Sequence, residues 1–363
     1  MKTILTTLLL ILGSTHLAQA SLGERKVGIE FEFAGVGIGA DNTNLENHRW
    51  LLDQVKARFG GGEISVKPWN KYSNAQGTSY ATMKDAQGRE WSVLPEIMTN
   101  GKFDGYELVT PPLNSTDDGA KIEKVVAAIE QSNRFVKGWS SSTHYTYDIS
   151  DLVEKKNVSK VVDLILFLES RILEIYNTVN PERYHHVINT YAIPLALNQK
   201  ELLADLAAMP PKERTMDNVR AVFLKYEGRE EKLVGGHAVS VWKYRAINYG
   251  KFFGIGRFSQ LPVLEFRLGD LVGPGNVVKM GEFYQRLIEV GSKTPTQSYV
   301  DPIPDFQTFD RTQAEQHATL DRYMSAVPLA QYQTFLREIN MKYSVLPLKS
   351  YGFRKSTCSI VFM

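Results

Sequence analysis

Apolar and polar residues alternate over residues 26–35, "KVGIEFEFAG", with Ile29, Phe31 and Phe33 on one side and Glu30 and Glu32 on the other. A period of two marks a half-buried β-strand, because successive side chains point to opposite faces. Residues 45–59, "LENHRWLLDQVKARF", follow another rhythm: Leu51, Leu52, Val55 and Phe59 recur at helical spacing, and the run stops at Gly60-Gly61-Gly62. Residues 63–113 alternate again and carry turn signals ("DAQG", "NGKFDG"), which predicts several antiparallel strands ending at Pro111-Pro112. A helix is expected over "DDGAKIEKVVAAIEQSNRF", capped by Asp117 or Asp118, and a short strand in "SSTHYTYDIS". Residues 158–179, "VSKVVDLILFLESRILEIYNTV", read as one buried helix, apolar nearly all round. Two helices divided by Pro210-Pro211 follow over residues 200–226, then strands in "HAVSVWKYRAINYG" and "LPVLEFRLGD". Beyond Pro274 three helical patterns dominate, broken at Pro295, Pro302, Pro304 and Pro328. Strands with interposed helices, then a helical tail, predict the α+β class.

The first twenty residues, "MKTILTTLLLILGSTHLAQA", show a different pattern. Lys2 is followed by an apolar run from Ile4 to Leu12 and by the small-x-small site Ala18-Gln19-Ala20. That three-part order predicts a secretory leader. The apolar run falls short of the roughly twenty residues a membrane span needs. The mature chain is then expected to start near Ser21, with no stable membrane span, in a periplasm or outside the cell. A cytoplasmic location is the alternative if the leader is not used.

Composition narrows this picture only a little. The 363 residues are 43% hydrophobic and 23% charged with a formal net charge of +2, ordinary for a globular protein. No basic run is dense enough to track a phosphate backbone, so nucleic acid is not an expected partner. Cys358 is the single cysteine, which excludes an intrachain disulfide.

The chemistry lies in acidic and imidazole groups inside strand-like runs: Glu30 and Glu32 in "GIEFEF", Glu107 in "GYELVTPPL", His144 in "STHYTYDIS", Glu265 and Arg267 in "LEFRLG". Glu265 and Arg267 share a face of their strand. Four carboxylates exceed what one nearby arginine balances. A divalent cation resolves the excess: carboxylates suit Mg²⁺ or Mn²⁺, and one imidazole is compatible with Mn²⁺. Arg267 beside a metal-binding Glu265 would reach a transferring phosphoryl group with its planar fork. Taken singly, each residue has a blander reading: a solvated sheet face, a structural histidine, a sheet-face ion pair, an edge-strand residue. Gly35, Gly37 and Gly39 fit neither dinucleotide nor P-loop spacing. His185 and His186 are adjacent and diverge on regular structure, so one is read as packing. There is no GxSxG elbow and no CxxC.

In this order, "GIEFEF", "GYELVTPPL", "STHYTYDI" and "LEFRLGD" resemble the amidoligase family, relatives of glutamine synthetase and the glutamate–cysteine ligases. The resemblance spans residues 26–270. It implies an antiparallel sheet curved like the catalytic domain of glutamine synthetase, helices packed behind it, and a helical C-terminal region. The expected division is a leader at 1–20, a catalytic domain at 21–303 and a helical extension of it at 304–363. By motif, Glu30, Glu32, Glu107, His144 and Glu265 would be metal ligands, with Arg267 on phosphate and His144 also near the cofactor. Arg245 and Asn248 in "YRAINY" would face the substrate. The implied reaction is an ATP- and Mg²⁺- or Mn²⁺-dependent joining of a carboxylate to an amine through an acyl phosphate. Substrates would be amino acids or peptide-like molecules, and a glutamine amidotransferase is the partner that would supply ammonia if ammonia is the amine.

Three features depart from the family pattern. Thr146 stands where a second histidine is expected, and Glu96 in "GREWSVLPEI" substitutes for an acidic residue after the preceding strand or leaves that position lost. The leader sits oddly with ATP chemistry, since ATP is scarce outside the cytoplasm. Two rival readings follow: an exported binder of peptides or cell-wall fragments that uses no ATP, and a metal-dependent amide hydrolase.

Overall fold

The computed structural model describes residues 22, 24–36, 45–69, 79–99, 102–138, 141–179, 192, 194–226, 231–234, 237–240, 245–256, 258–295, 299–302 and 329–338. The leader, the glycines at 37 and 39, His185, His186 and Cys358 lie outside these residues.

The strands are β1 (Val27–Gly35), β2 (Ser65–Pro68), β3 (Ser79–Lys84), β4 (Glu90–Thr99), β5 (Lys102–Val109), β6 (Phe135–Val136), β7 (Ser142–Asp148), β8 (Glu231–Val234), β9 (His237–Ser240), β10 (Ile247–Asn248) and β11 (Val263–Asp270). The helices are α1 (Leu45–Phe59), α2 (Thr116–Gln131), α3 (Ser159–Ser170), α4 (Ile172–Val179), α5 (Leu195–Asn198), α6 (Lys200–Ala208), α7 (Met216–Lys225), α8 (Gly250–Phe253), α9 (Val277–Gly291) and α10 (Leu329–Glu338). The fold is α+β. Eight strands run in the order β10-β11-β7-β1-β5-β4-β3-β2, with β6 paired to β1 off this path, and every pairing is antiparallel. A separate hairpin joins β8 to β9.

The alternation in β1 sets the two sides of this sheet. Val27, Ile29, Phe31 and Phe33 are buried, while Glu30 and Glu32 are only partly so. The apolar side continues across β7 through Tyr145 and Tyr147. Their hydroxyls donate to the carbonyls of Val277 (2.9 Å) and Gly281 (2.6 Å) in α9, which pins that helix to the sheet. Each such bond contributes about 1 kcal/mol net, and leaving the hydroxyl unpaired would cost more. Tyr284 of α9 stacks on Phe266 of β11 at 4.3 Å. Helix α3 crosses α9 at Gly291, where a Cβ would stand 2.7 Å from Leu164 and Phe167 side-chain atoms. Phe335 and Leu336 of α10 are buried in the same apolar cluster, which runs in sequence from Leu22 to Leu336.

The expected elements change in three places. The long helix over residues 158–179 is two helices that meet at Arg171, whose φ of −112° leaves the helical range. The apolar pattern runs through this break and hides it. Helix α2 is capped by Ser115, not by either aspartate: its hydroxyl accepts from the Asp118 N–H at 2.9 Å. The stretch "HAVSVWKYRAINYG" is not one strand, because β9 pairs with β8 and β10 pairs with β11.

Candidate active site

The polar side of the central strands gathers the acidic residues by register. Glu30 lies opposite His144, and Glu32 opposite both Ser142 and Glu107. Glu265 lies opposite Thr146 on one side and Asn248 on the other. Glu96 pairs with Gly105, two residues from Glu107 on the same side of β5. Five carboxylates from four strands thus face one region, and only antiparallel pairing in this register could bring them there.

His144 sits at the centre, with its side chain 3% exposed. Its Nδ1 is 3.2 Å from Glu30 Oε2 and 3.6 Å from Glu32 Oε1, and its Nε2 is 2.8 Å from Ser142 Oγ. The Ser142 hydroxyl in turn donates to Glu32. Glu265 is fully buried and takes three donors: Arg267 Nη1 on Oε1 at 2.7 Å, and Asn248 Nδ2 and Lys251 Nζ on Oε2, each at 2.9 Å. Arg267 sits within an irregularity of β11, where the register shifts between Phe266 and Gly269. Such bulges re-aim side chains.

The charges divide the carboxyls into two groups. Burial works to raise the Glu265 pKa, but Arg267, then Lys251 and His144, outweigh it and hold the group far below the usual carboxylate range. For Glu30, burial is likewise outweighed, first by the hydrogen bond with His144, and the carboxyl stays ionised. Glu107 goes the other way: burial first, then Glu30, Glu96 and Glu32, push it well above the ordinary value. Several like charges share too little space for all to ionise.

Any cation must find ligand atoms at suitable spacing. Two ligands at about 2.1–2.5 Å from one ion are at most about 4–5 Å apart. One oxygen each from Glu30 and Glu265 and one nitrogen of His144 lie within 4.8 Å of one another, so this trio fits a shared divalent ion. Thr146 Oγ1 and Arg267 Nε are buried on this side with no hydrogen-bond partner among the described residues.

Two residues expected to face a substrate, Asn248 and Arg245, are buried. Asn248 is 1% exposed and clamped, accepting from the Gly250 N–H at 3.0 Å while donating to Glu265. It orients a carboxylate. Arg245 is also 1% exposed, and its charge acts on Glu169, a carboxylate that accepts from the Ala196 N–H (2.9 Å) and the Tyr249 hydroxyl (3.0 Å). Lys251 and Glu169 were missed in the sequence. The available signals were a lone lysine in the aromatic run "NYGKFFG" and a lone glutamate near the end of "DLILFLES".

Glu169 gives a pH prediction. Burial raises its pKa from 4.5 to about 7, against the pull of the Ala196 N–H, Tyr249 and Arg245. Below pH 4.5 it is protonated folded or unfolded and has no effect. As pH rises to 7 the unfolded chain ionises first, so stability falls, by about 3 kcal/mol in all, and the loss is complete above pH 7. Glu169→Gln is neutral throughout. Its stability relative to the wild type should therefore rise by about 3 kcal/mol between about pH 4 and about pH 8 in urea unfolding. Parallel profiles for the two proteins would assign the pH dependence to another group.

Comparison with known proteins adds three findings. Residues 23–268 match the family described as "Putative amidoligase enzyme". No curated protein matches the sequence. A solved structure titled "Crystal structure of novel glutamine synthase homolog" superposes on 89% of this chain and 67% of its own, at 11% identity and a TM-score of 0.37.

Proposed function

The chain belongs to the amidoligase family, and from that premise we propose that it is an ATP- and divalent-metal-dependent ligase joining a carboxylate to an amine on amino-acid or peptide-like substrates. The observation that carries the reading is the trio of Glu30, His144 and Glu265 within 4.8 Å, next to Arg267. In the reaction a substrate carboxylate oxygen attacks the γ-phosphorus of ATP, ADP departs, and an acyl phosphate forms. The amine nitrogen then attacks the acyl carbon, phosphate leaves, and the nitrogen gives up a proton.

The residues have separate tasks in this scheme. Glu30, His144 and Glu265 would hold Mg²⁺ or Mn²⁺, with Glu32 and Glu107 beside them in register. Bound there, the ion would offset the charge gathered between carboxylates and phosphates. Arg267 would offer the phosphoryl group a planar fork, its Nε having no hydrogen-bond partner among the described residues beyond the Nη1 bond spent on Glu265. Asn248 fixes the Glu265 carboxylate, and Ser142 fixes that of Glu32.

Calorimetry of residues 21–363 with ATP, in the presence of Mg²⁺ or Mn²⁺, tests the reading. Metal-dependent nucleotide binding is the expected result. A folded sample that binds no nucleotide would overturn it. The second reading, an exported binder of peptides or cell-wall fragments, would then lead. It is favoured by the leader pattern of residues 1–20 and by Thr146 in the place of a histidine.

A further inference from the structure

Resting on the proposal that Glu30, His144 and Glu265 take a divalent ion, we propose that Lys251 is the chain's own occupant of that position, displaced when the ion binds. The argument starts from the crowding of Glu265. A carboxylate oxygen has two lone-pair directions. Oε2 spends both, on Asn248 Nδ2 and Lys251 Nζ, and Oε1 spends one on Arg267. An ion reached through Oε2 therefore needs one donor to leave. Asn248 cannot, being 1% exposed and held by the Gly250 N–H. Lys251 can: its side chain is 23% exposed, against 12% for Arg267, and its ammonium rides on a flexible four-carbon stem. Electrostatics point the same way. Lys251 feels both Glu265 and Glu30, two of the three proposed ligands. An ammonium and a divalent ion sharing one oxygen of a carboxylate as buried as Glu265 would repel strongly.

Lysine and ion thus alternate at one place. With no ion bound, Lys251 keeps Glu265 from standing opposite Glu30 with too little positive charge between them. With the ion bound, the ammonium swings to the solvent side of the site, where an anionic substrate would enter. The four-residue helix α8 sets the reach of this stem. Tyr249, just before it, is tied to Glu169, and Gly254, just after it, turns the chain with a φ of 61°.

The test labels lysines of the wild-type protein with an amine-reactive reagent, with and without saturating Mn²⁺, and reads Lys251 by peptide mass spectrometry. Mn²⁺ affinity of the wild type and of Lys251→Met is titrated in parallel. Exchange predicts a several-fold rise in Lys251 labelling with Mn²⁺ and at least about tenfold tighter Mn²⁺ binding in Lys251→Met, a difference of about 1.4 kcal/mol. Binding of Mn²⁺ by the variant alone would support exchange as well, with the lysine as the stronger competitor. Mn²⁺ binding with unchanged labelling, or weaker binding in Lys251→Met, would overturn the exchange and leave the metal site standing. Binding to neither protein would remove the metal site and the exchange with it.

Discussion

Glu265→Gln is expected to cost the protein about 3–5 kcal/mol of stability and to abolish divalent-ion binding, whereas Glu30→Gln is expected to lose the ion and keep the fold. The two glutamates differ in what they neutralise. Glu265 is fully buried and is the anion for both Arg267 and Lys251. A neutral glutamine leaves both cations without that anion; Lys251 can turn to solvent, but Arg267, 12% exposed, has little water to turn to. Glu30 has a side chain 21% exposed, and its close partners are His144 and the Glu107 carboxyl, neither of them a buried cation like Arg267. Its loss relieves like-charge crowding around Glu107, where the Glu30 charge is the largest cause after burial. Mn²⁺ affinity should drop at least about 100-fold in Glu30→Gln, the upper end of what is lost when a residue merely supporting a ligand is removed. Urea unfolding and Mn²⁺ titration of both variants check this. Unchanged unfolding of Glu265→Gln would contradict the buried charge pairs, and full metal affinity in Glu30→Gln would remove that residue from the ligand set.

Arg267→Lys should lower kcat by about 100- to 1,000-fold, the usual effect of losing one donor to charge that develops in the transition state. Lysine keeps the positive charge and can still pair with Glu265, so the fold and the ion should survive. What it lacks is the fork: an ammonium that serves Glu265 has no second donor in a fixed plane for a phosphoryl oxygen. The measurement is phosphate release from ATP with whichever acid and amine sustain turnover in the wild type. Full turnover in the variant would end the phosphoryl role of Arg267.

The core and the acidic side of the sheet were legible because a period of two admits one interpretation. Once Phe31 and Phe33 are inside, Glu30 and Glu32 must share the other side. Glu107, His144 and Glu265 were legible individually, but their meeting depends on register, and no single strand encodes its partner. Lys251 escaped because it belongs to a four-residue helix, too short for any periodicity, and reaches Glu265 only through the chain turn after Asn248. The burial of Arg245 is hidden for a related reason. Its neighbours in "YRAINY" suggest a strand beside the site, yet strand side chains alternate, and this guanidinium is buried with Glu169. The break at Arg171 left no trace, because apolar residues continue on both sides of it.

The register shift in β11 carries a consequence for how this protein can change. Up to Phe266 the strand is in step with β7, and past it Gly269 and Asp270 meet Thr143 and Ser142 one residue later than regular pairing would give. Substitutions on the acidic side leave the register of these strands unchanged, although its buried members, Glu265 and His144 among them, are tied to too many partners to be exchanged freely. The chain cannot gain or lose a residue in β1, β7 or β11 without exchanging the wet and dry sides of everything downstream in that strand. The extra residue between Phe266 and Gly269 is accommodated by the register shift, and Asp270, salt-bridged to Lys137, holds the strand in place beyond it. Variation among related chains should accordingly appear as substitutions within these strands and as length changes only in the segments between them.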